Sequence, residues 1–154
     1  MITVDDLAGV IGARLELADP GGTIFPGQVW FGRGPDTPAG YPYVVFEVAA
    51  GPARMYSGSV YSQTWTVKGA AYCQQGATGS MQAVQQALNT ALVSQAAQLA
   101  WADVTLRTAN DLILSTRPLD SADSKYAPTL RAGQDVFVTA LACEFLVQSD
   151  RSAA

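Results

Sequence analysis

Apolar positions recur at helical spacing at the start of the chain, where Leu7, Val10, Ile11 and Leu15 form one stripe. Thr3, ahead of Asp5 and Asp6, supplies a capping side chain and first-turn acids. Asp19-Pro20-Gly21-Gly22 stops the pattern, so the spacing predicts a short amphipathic helix over 3–17. Residues 23–40 carry glycines and prolines around the apolar patch Val29-Trp30-Phe31. This patch is a short strand inside a long loop, or an arm. Its aromatics either plug the domain's own core or dock on a neighbouring subunit.

From Tyr43 to Ala49 the residues favour strand, and Gly51-Pro52 predicts a turn, with a second strand over 54–60. Tyr61–Gln74 reads as a long third strand. Tyr61, Trp65, Val67, Ala71 and Cys73 alternate with Ser62, Thr64, Thr66 and Lys68, the pattern of a sheet buried on one face and wet on the other. After a turn at Gly76–Gly79, Ser80 is placed to cap a helix running to Trp101, with Met81, Val84, Leu88, Leu92 and Leu99 as its apolar stripe. No charge falls between Met81 and Ala102, so one flank of that helix either meets another protein or is a bland polar face. Strand-like VTLRT and LILST then flank Asn110-Asp111, and residues 119–134 read as a polar loop. The closing run DVFVTALACEFLVQ, 135–148, is apolar on both faces, which predicts a central strand covered on both sides. The order helix, strands, helix, strands predicts a single α+β domain over 1–154, an antiparallel sheet of about four to six strands with two helices packed on it.

Composition narrows the function. Apolar residues make up 49% of the chain and charged residues only 14%, which leans towards a subunit that buries surface against partners. The net charge is −4, and the nine basic residues are spread singly, so tight nucleic-acid binding by counterion release is not expected. A weakly acidic surface lets DNA pass without sticking. Histidine is absent, which removes the commonest general base, metal ligand and serine or cysteine activator together. Cys73 and Cys143 sit in apolar surroundings and read as buried core residues. The start has acids where a signal peptide has bases, and no run approaches the length of a membrane span. A cytoplasm-like environment is expected.

Most carboxylates fall at helix starts and turns, where capping explains them. Glu47 and Glu144 are exceptions, each inside an apolar strand. On neighbouring strands they would make an acid/base pair, yet their Ala-rich surroundings offer no nucleophile or metal ligand. Gly32-Arg33-Gly34 lacks the further residues of a phosphate loop. Gly76-Ala77-Thr78-Gly79 reads as a turn before it reads as an anion site. The chain is therefore expected to be neither an enzyme nor the holder of a cofactor or metal.

The layout has a known counterpart. A helix and a variable loop lead to YPYVVFEV. An Arg-bearing strand and a long strand ending in TWTVKGAAYC follow, then the Gln/Ala-rich SMQAVQQALNTALV, LILSTRPLD and DVFVTALACEFLV. Over residues 1–148 this resembles the tail-terminator (tail-completion, head–tail joining) proteins of long-tailed bacteriophages and related prophage or gene-transfer particles. The resemblance implies a virion protein assembled in the host cytoplasm, as a homo-oligomer (a hexameric ring) on the head-proximal end of the tail tube. It further implies two partners, the tail tube protein and the head–tail connector or neck protein, with DNA passing through the lumen without specific binding and no membrane contact. Compared with short members of that family, the 23–40 loop is long and aromatic and 103–134 is extended. Trp30, Phe31, Arg54, Tyr56, Lys125, Tyr126 and Arg131 are the interface candidates. The alternatives are another neck or tail-tube protein, or a small-ligand binding domain or enzyme built around Glu47 and Glu144.

Overall fold

A computed structural model of the chain describes residues 2–16, 28–34, 43–74, 78–107, 110–119, 126–131 and 134–150. The first helix, α1 (Val4–Glu16), starts where the sequence places it. The Thr3 side chain accepts from the Asp6 amide at 3.2 Å, and the Thr3 amide donates to the Asp6 carboxylate at 2.7 Å. This reciprocal capping satisfies two otherwise orphaned donors. Leu7, Ala8, Ile11 and Leu15 are its buried face.

Strand β1 (Val29–Phe31) runs parallel to β2 (Tyr43–Met55), which is antiparallel to β3 (Val60–Gln74). The sheet is thus antiparallel except at this edge, and with the helices it makes the α+β fold that the sequence predicts. Gly51-Pro52 is not a turn: β2 runs through it with a bulge between Ala50 and Ala53, a place that tolerates a proline lacking its N–H. Gly51 is required there, because a Cβ would lie 2.6 Å from the Thr64 carbonyl oxygen. The chain turns instead at 56–59, where the Tyr56 and Ser57 amides donate to the Val60 carbonyl and the Ser57 hydroxyl accepts from the Val60 amide. The expected strand over 54–60 is therefore the end of β2 followed by this turn.

The expected helix over 80–101 is two helices, α2 (Thr78–Leu92) and α3 (Gln95–Ala102), which makes three helices where two were predicted. Ser94 is the reason. Its hydroxyl donates to the Thr90 carbonyl at 2.6 Å and accepts from the Ala97 amide at 3.1 Å, closing one helix while capping the next. The Leu92 carbonyl left by the break accepts from the Trp101 indole at 3.0 Å and the Thr116 hydroxyl at 2.7 Å. The described part of VTLRT, 104–107, forms no strand, and Val104 and Leu106 lean on the core. Strand β4 (Leu112–Pro118) follows. The predicted 119–134 loop holds a further strand, β5 (Tyr126–Arg131). Both pair antiparallel with the closing strand β6 (Gln134–Asp150), which also runs along the whole of β3.

The sheet order is β1-β2-β3-β6-β4, with β5 beside the first part of β6. Its register puts Val48, Val67 and Cys143 in one row and Trp65 opposite Phe145. These residues join Leu7 and Ile11 of α1, Val84 and Leu88 of α2, and Ala97 and Trp101 of α3 in one hydrophobic cluster. The three helices thus share one face of the sheet. On β6, Leu141, Cys143, Phe145, Val147 and Ser149 are buried there, whereas Val138, Ala140, Ala142, Glu144, Leu146 and Gln148 are only half-buried. This corrects the expectation that β6 is covered on both sides: it is central, but its second face lies open.

Candidate functional site

The open face carries the charged residues that the sequence singled out. Glu47 lies directly opposite Lys68, which lies opposite Ala142, while Glu144 lies opposite Thr66 on one side and Arg117 on the other. The Arg117 guanidinium donates to Glu144 at 2.8 Å. The two glutamates are therefore separated by β3 and offset along it, roughly 12 Å apart at ordinary strand spacings. They do not share a site. A shallow depression of about 220 Å³ touches Glu47, Lys68, Val45, Gly69, Ala70 and Tyr72. A second, of about 350 Å³, lies along α2 and its end, lined by Gln85, Gln86, Asn89, Thr90, Val93 and Ser94. The first sets the Glu47 carboxylate beside Lys68 and Tyr72, and the second is lined by amide, hydroxyl and valine side chains. Among the described residues no group of three or more carboxylate, cysteine or histidine side chains is placed to hold a metal, and no helix is long and apolar enough to cross a membrane.

The two cysteines are free, buried and on the helix-bearing face. Desolvation pushes the Cys73 thiol up to about 11 and the Cys143 thiol up to about 12. A reactive thiol needs the opposite shift, so both act as core residues, as the sequence suggested.

The interface candidates divide by position. Trp30 and Phe31 lie on β1, the edge strand, and point to opposite faces of the sheet, as neighbours on a strand must. Phe31 rests against Phe46 of the core, with ring centroids 5.4 Å apart. Both aromatics nonetheless stay substantially exposed, so the pair is neither a plug nor a free arm. Arg54 and Tyr56 are exposed at the far end of the β2–β3 hairpin, with Met55 between them. Tyr126 and Arg131 bound β5, and Lys125 lies outside the described residues.

Three exposed apolar residues escaped the sequence reading: Leu99 on α3, and Leu112 and Leu114 on β4. Leu99 fitted the apolar stripe of one continuous helix. The break at Val93-Ser94 resets the helical phase, so Ala97 and Trp101 turn inward and Leu99 outward. A bulge between Ile113 and Ser115 displaces Leu114. The usable signal was Ser94, a capping residue inside a helical pattern.

No family model matches the chain, and no curated protein matches it. Among solved structures, a chain of the virion of a native gene transfer agent particle is similar at 15% identity and a TM-score of 0.49, over 88% of this chain and 84% of that one. A second solved chain is similar at 13% identity and a TM-score of 0.46, over 94% of this chain and 96% of that one.

Proposed function

We propose that the chain is a non-catalytic structural subunit of a phage-like virion, a tail terminator. In this reading copies of it form a hexameric ring on the head-proximal end of the tail tube, stop tube growth and present a surface to the head–tail connector. The order of elements supports the reading in outline: a helix, the YPYVVFEV and TWTVKGAAYC strands, a helical segment, the LILSTRP strand and the closing strand come in the succession that suggested the resemblance, with the Arg-bearing strand merged into β2, the helical segment divided in two, and β1 and β5 added. The observation that carries it furthest is the open face of the sheet. Thr64, Thr66, Ala70, Ala140, Ala142 and Leu146 make a half-exposed wall of small and apolar side chains. Its described charges include two acids, Glu47 and Glu144, each opposite a base, Lys68 and Arg117, together with Arg54 opposite Ser62 towards the hairpin tip. Such a wall has little pull on a polyanion and suits a surface that meets protein or lets DNA slide past. No cofactor enters this function, and the protein acts in the neck of the particle after assembly in the host cytoplasm.

The test is tube growth in vitro. Added to polymerising tail tubes, the protein should cap them after one or two layers and fix their length. Tubes that continue to lengthen by incorporating it layer on layer would make it a tube protein, and tubes that ignore it would refute a role at the tail end.

A further inference from the structure

Strand β4 ends the sheet order, with no strand beyond it among the described residues. An edge of this kind presents a row of outward backbone N–H and C=O groups on which another strand can be added. In an antiparallel ladder those groups alternate, one residue facing the partner strand and the next facing away. The Leu119 amide donates to the Ala142 carbonyl of β6 at 3.1 Å, so Leu119 and Arg117 face inwards while Thr116 and Pro118 face out. Thr116 shows the same phase, because its amide and carbonyl bond the Gln98 side chain of α3 rather than β6.

We infer that Gln98 is a guard: it takes the place of a neighbouring strand and keeps the β4 edge from pairing with a second copy of the chain. A primary amide carries a donor and an acceptor much as a peptide group does. Both are used here, with Nε2 donating to the Thr116 carbonyl at 2.7 Å and Oε1 accepting from its amide at 2.8 Å. The same Nε2 bonds the Thr116 hydroxyl, which donates in turn to the Leu92 carbonyl at 2.7 Å. Gln98 stands in the first turn of α3, its own amide donating to the Ser94 carbonyl at 3.0 Å. The cap that starts the helix therefore also positions the guard.

The rest of this edge is closed by other means. Pro118, the next outward position, has no N–H to offer. On the other side, the bulge between Ile113 and Ser115 breaks the spacing that an added strand needs. Between them Thr116 would present both a donor and an acceptor, and that is where Gln98 sits. The inference stands apart from the ring reading, since a lone chain with this edge open would need the same guard.

Variants of the full chain test this. Gln98→Ala removes the guard, Pro118→Thr restores the missing donor, and the double variant does both. Gly69→Ala, which crowds β2 against β3 away from this edge, controls for lost stability alone. Sedimentation velocity over a range of concentrations reads mass, hydrogen exchange reads the Thr116 amide, and circular dichroism with cooperative melting verifies folding. The double variant should shift to twice the unaltered mass or more as concentration rises, while Pro118→Thr and Gly69→Ala keep the unaltered mass. The Thr116 amide should exchange faster in unassociated Gln98→Ala than in the unaltered chain, and should be protected again in the associated double variant. If Gln98→Ala unfolds the chain, Gln98→Leu, close in size and without polar atoms, replaces it. The inference is overturned by a folded double variant that keeps the unaltered mass, or by equal association of Pro118→Thr or Gly69→Ala. An associated species whose Thr116 amide still exchanges freely overturns it as well.

Discussion

At the scale of single residues, the tightest constraint is Gly69. It sits opposite Phe46 in the middle of β3, and a Cβ there would lie 2.3 Å from the Val45 carbonyl oxygen and 2.9 Å from the Phe46 Cα. Both are backbone atoms, so relief requires β2 and β3 to part. Gly69→Ala should destabilise the chain by roughly 1–3 kcal/mol, as overpacking in a well-filled interior does, and chemical denaturation measures it. An unchanged midpoint would show that the strands are not this close. The cysteines supply a pH test. Their folded values are raised to about 11 and about 12 against ordinary thiols when unfolded, so the protonated form is the one the fold favours. That contribution is complete below about pH 9 and is lost as pH rises through 9 towards the folded values. The native thiols should therefore resist a disulfide reagent at pH 8 and react on unfolding. The melting temperature of Cys143→Ala should fall less between pH 8 and pH 11 than that of the unaltered chain. Rapid native labelling would contradict the burial.

At the scale of elements, the join between α3 and β4 is held by one amide. Gln98 accepts from the Thr116 backbone amide at 2.8 Å and donates to its carbonyl at 2.7 Å, as a neighbouring strand would. Thr116 is buried, so Gln98→Ala strands polar backbone atoms and should lower stability by about 1–3 kcal/mol, read from thermal or urea unfolding. A neutral result would mean that water replaces the amide. The same region shows why sequence pattern runs out. The helical start at Thr3, the alternation along β3 and the apolar closing strand were all legible, because each follows from a period of 3.6 or 2 within one element. The break had one local signal, the capping residue Ser94, and it was outweighed because Val84, Leu88 and Leu92 continue in phase through the residues before it. What decides there is long-range: Trp101 and Thr116 supply the donors that Leu92 needs. Gly51-Pro52 misled for a similar reason. Its turn chemistry is genuine locally, but a bulge in a long ladder absorbs it. Strand β5 was hidden in a polar segment whose partner, β6, lies next to it in the hairpin.

At the scale of the whole molecule, the candidate site was only half legible. Trp30, Phe31, Arg54 and Tyr56 stood out as aromatics and bases near Gly and Pro, and all four are exposed, two on β1 and two at the tip of the β2–β3 hairpin. The leucines of the other edge were invisible, since a leucine in a strand or helix pattern reads as core until the register is known. Together the two edges and the bare sheet face describe a chain with more apolar surface than its 14% of charged residues suits in isolation. The account therefore stands or falls on assembly. The deciding measurement is native mass, taken on the purified chain and again after mixing with tail tubes. A closed ring of identical chains, in solution or formed on the tube end, is the predicted result. A single chain under both conditions, at concentrations well above those in an infected cell, would contradict it.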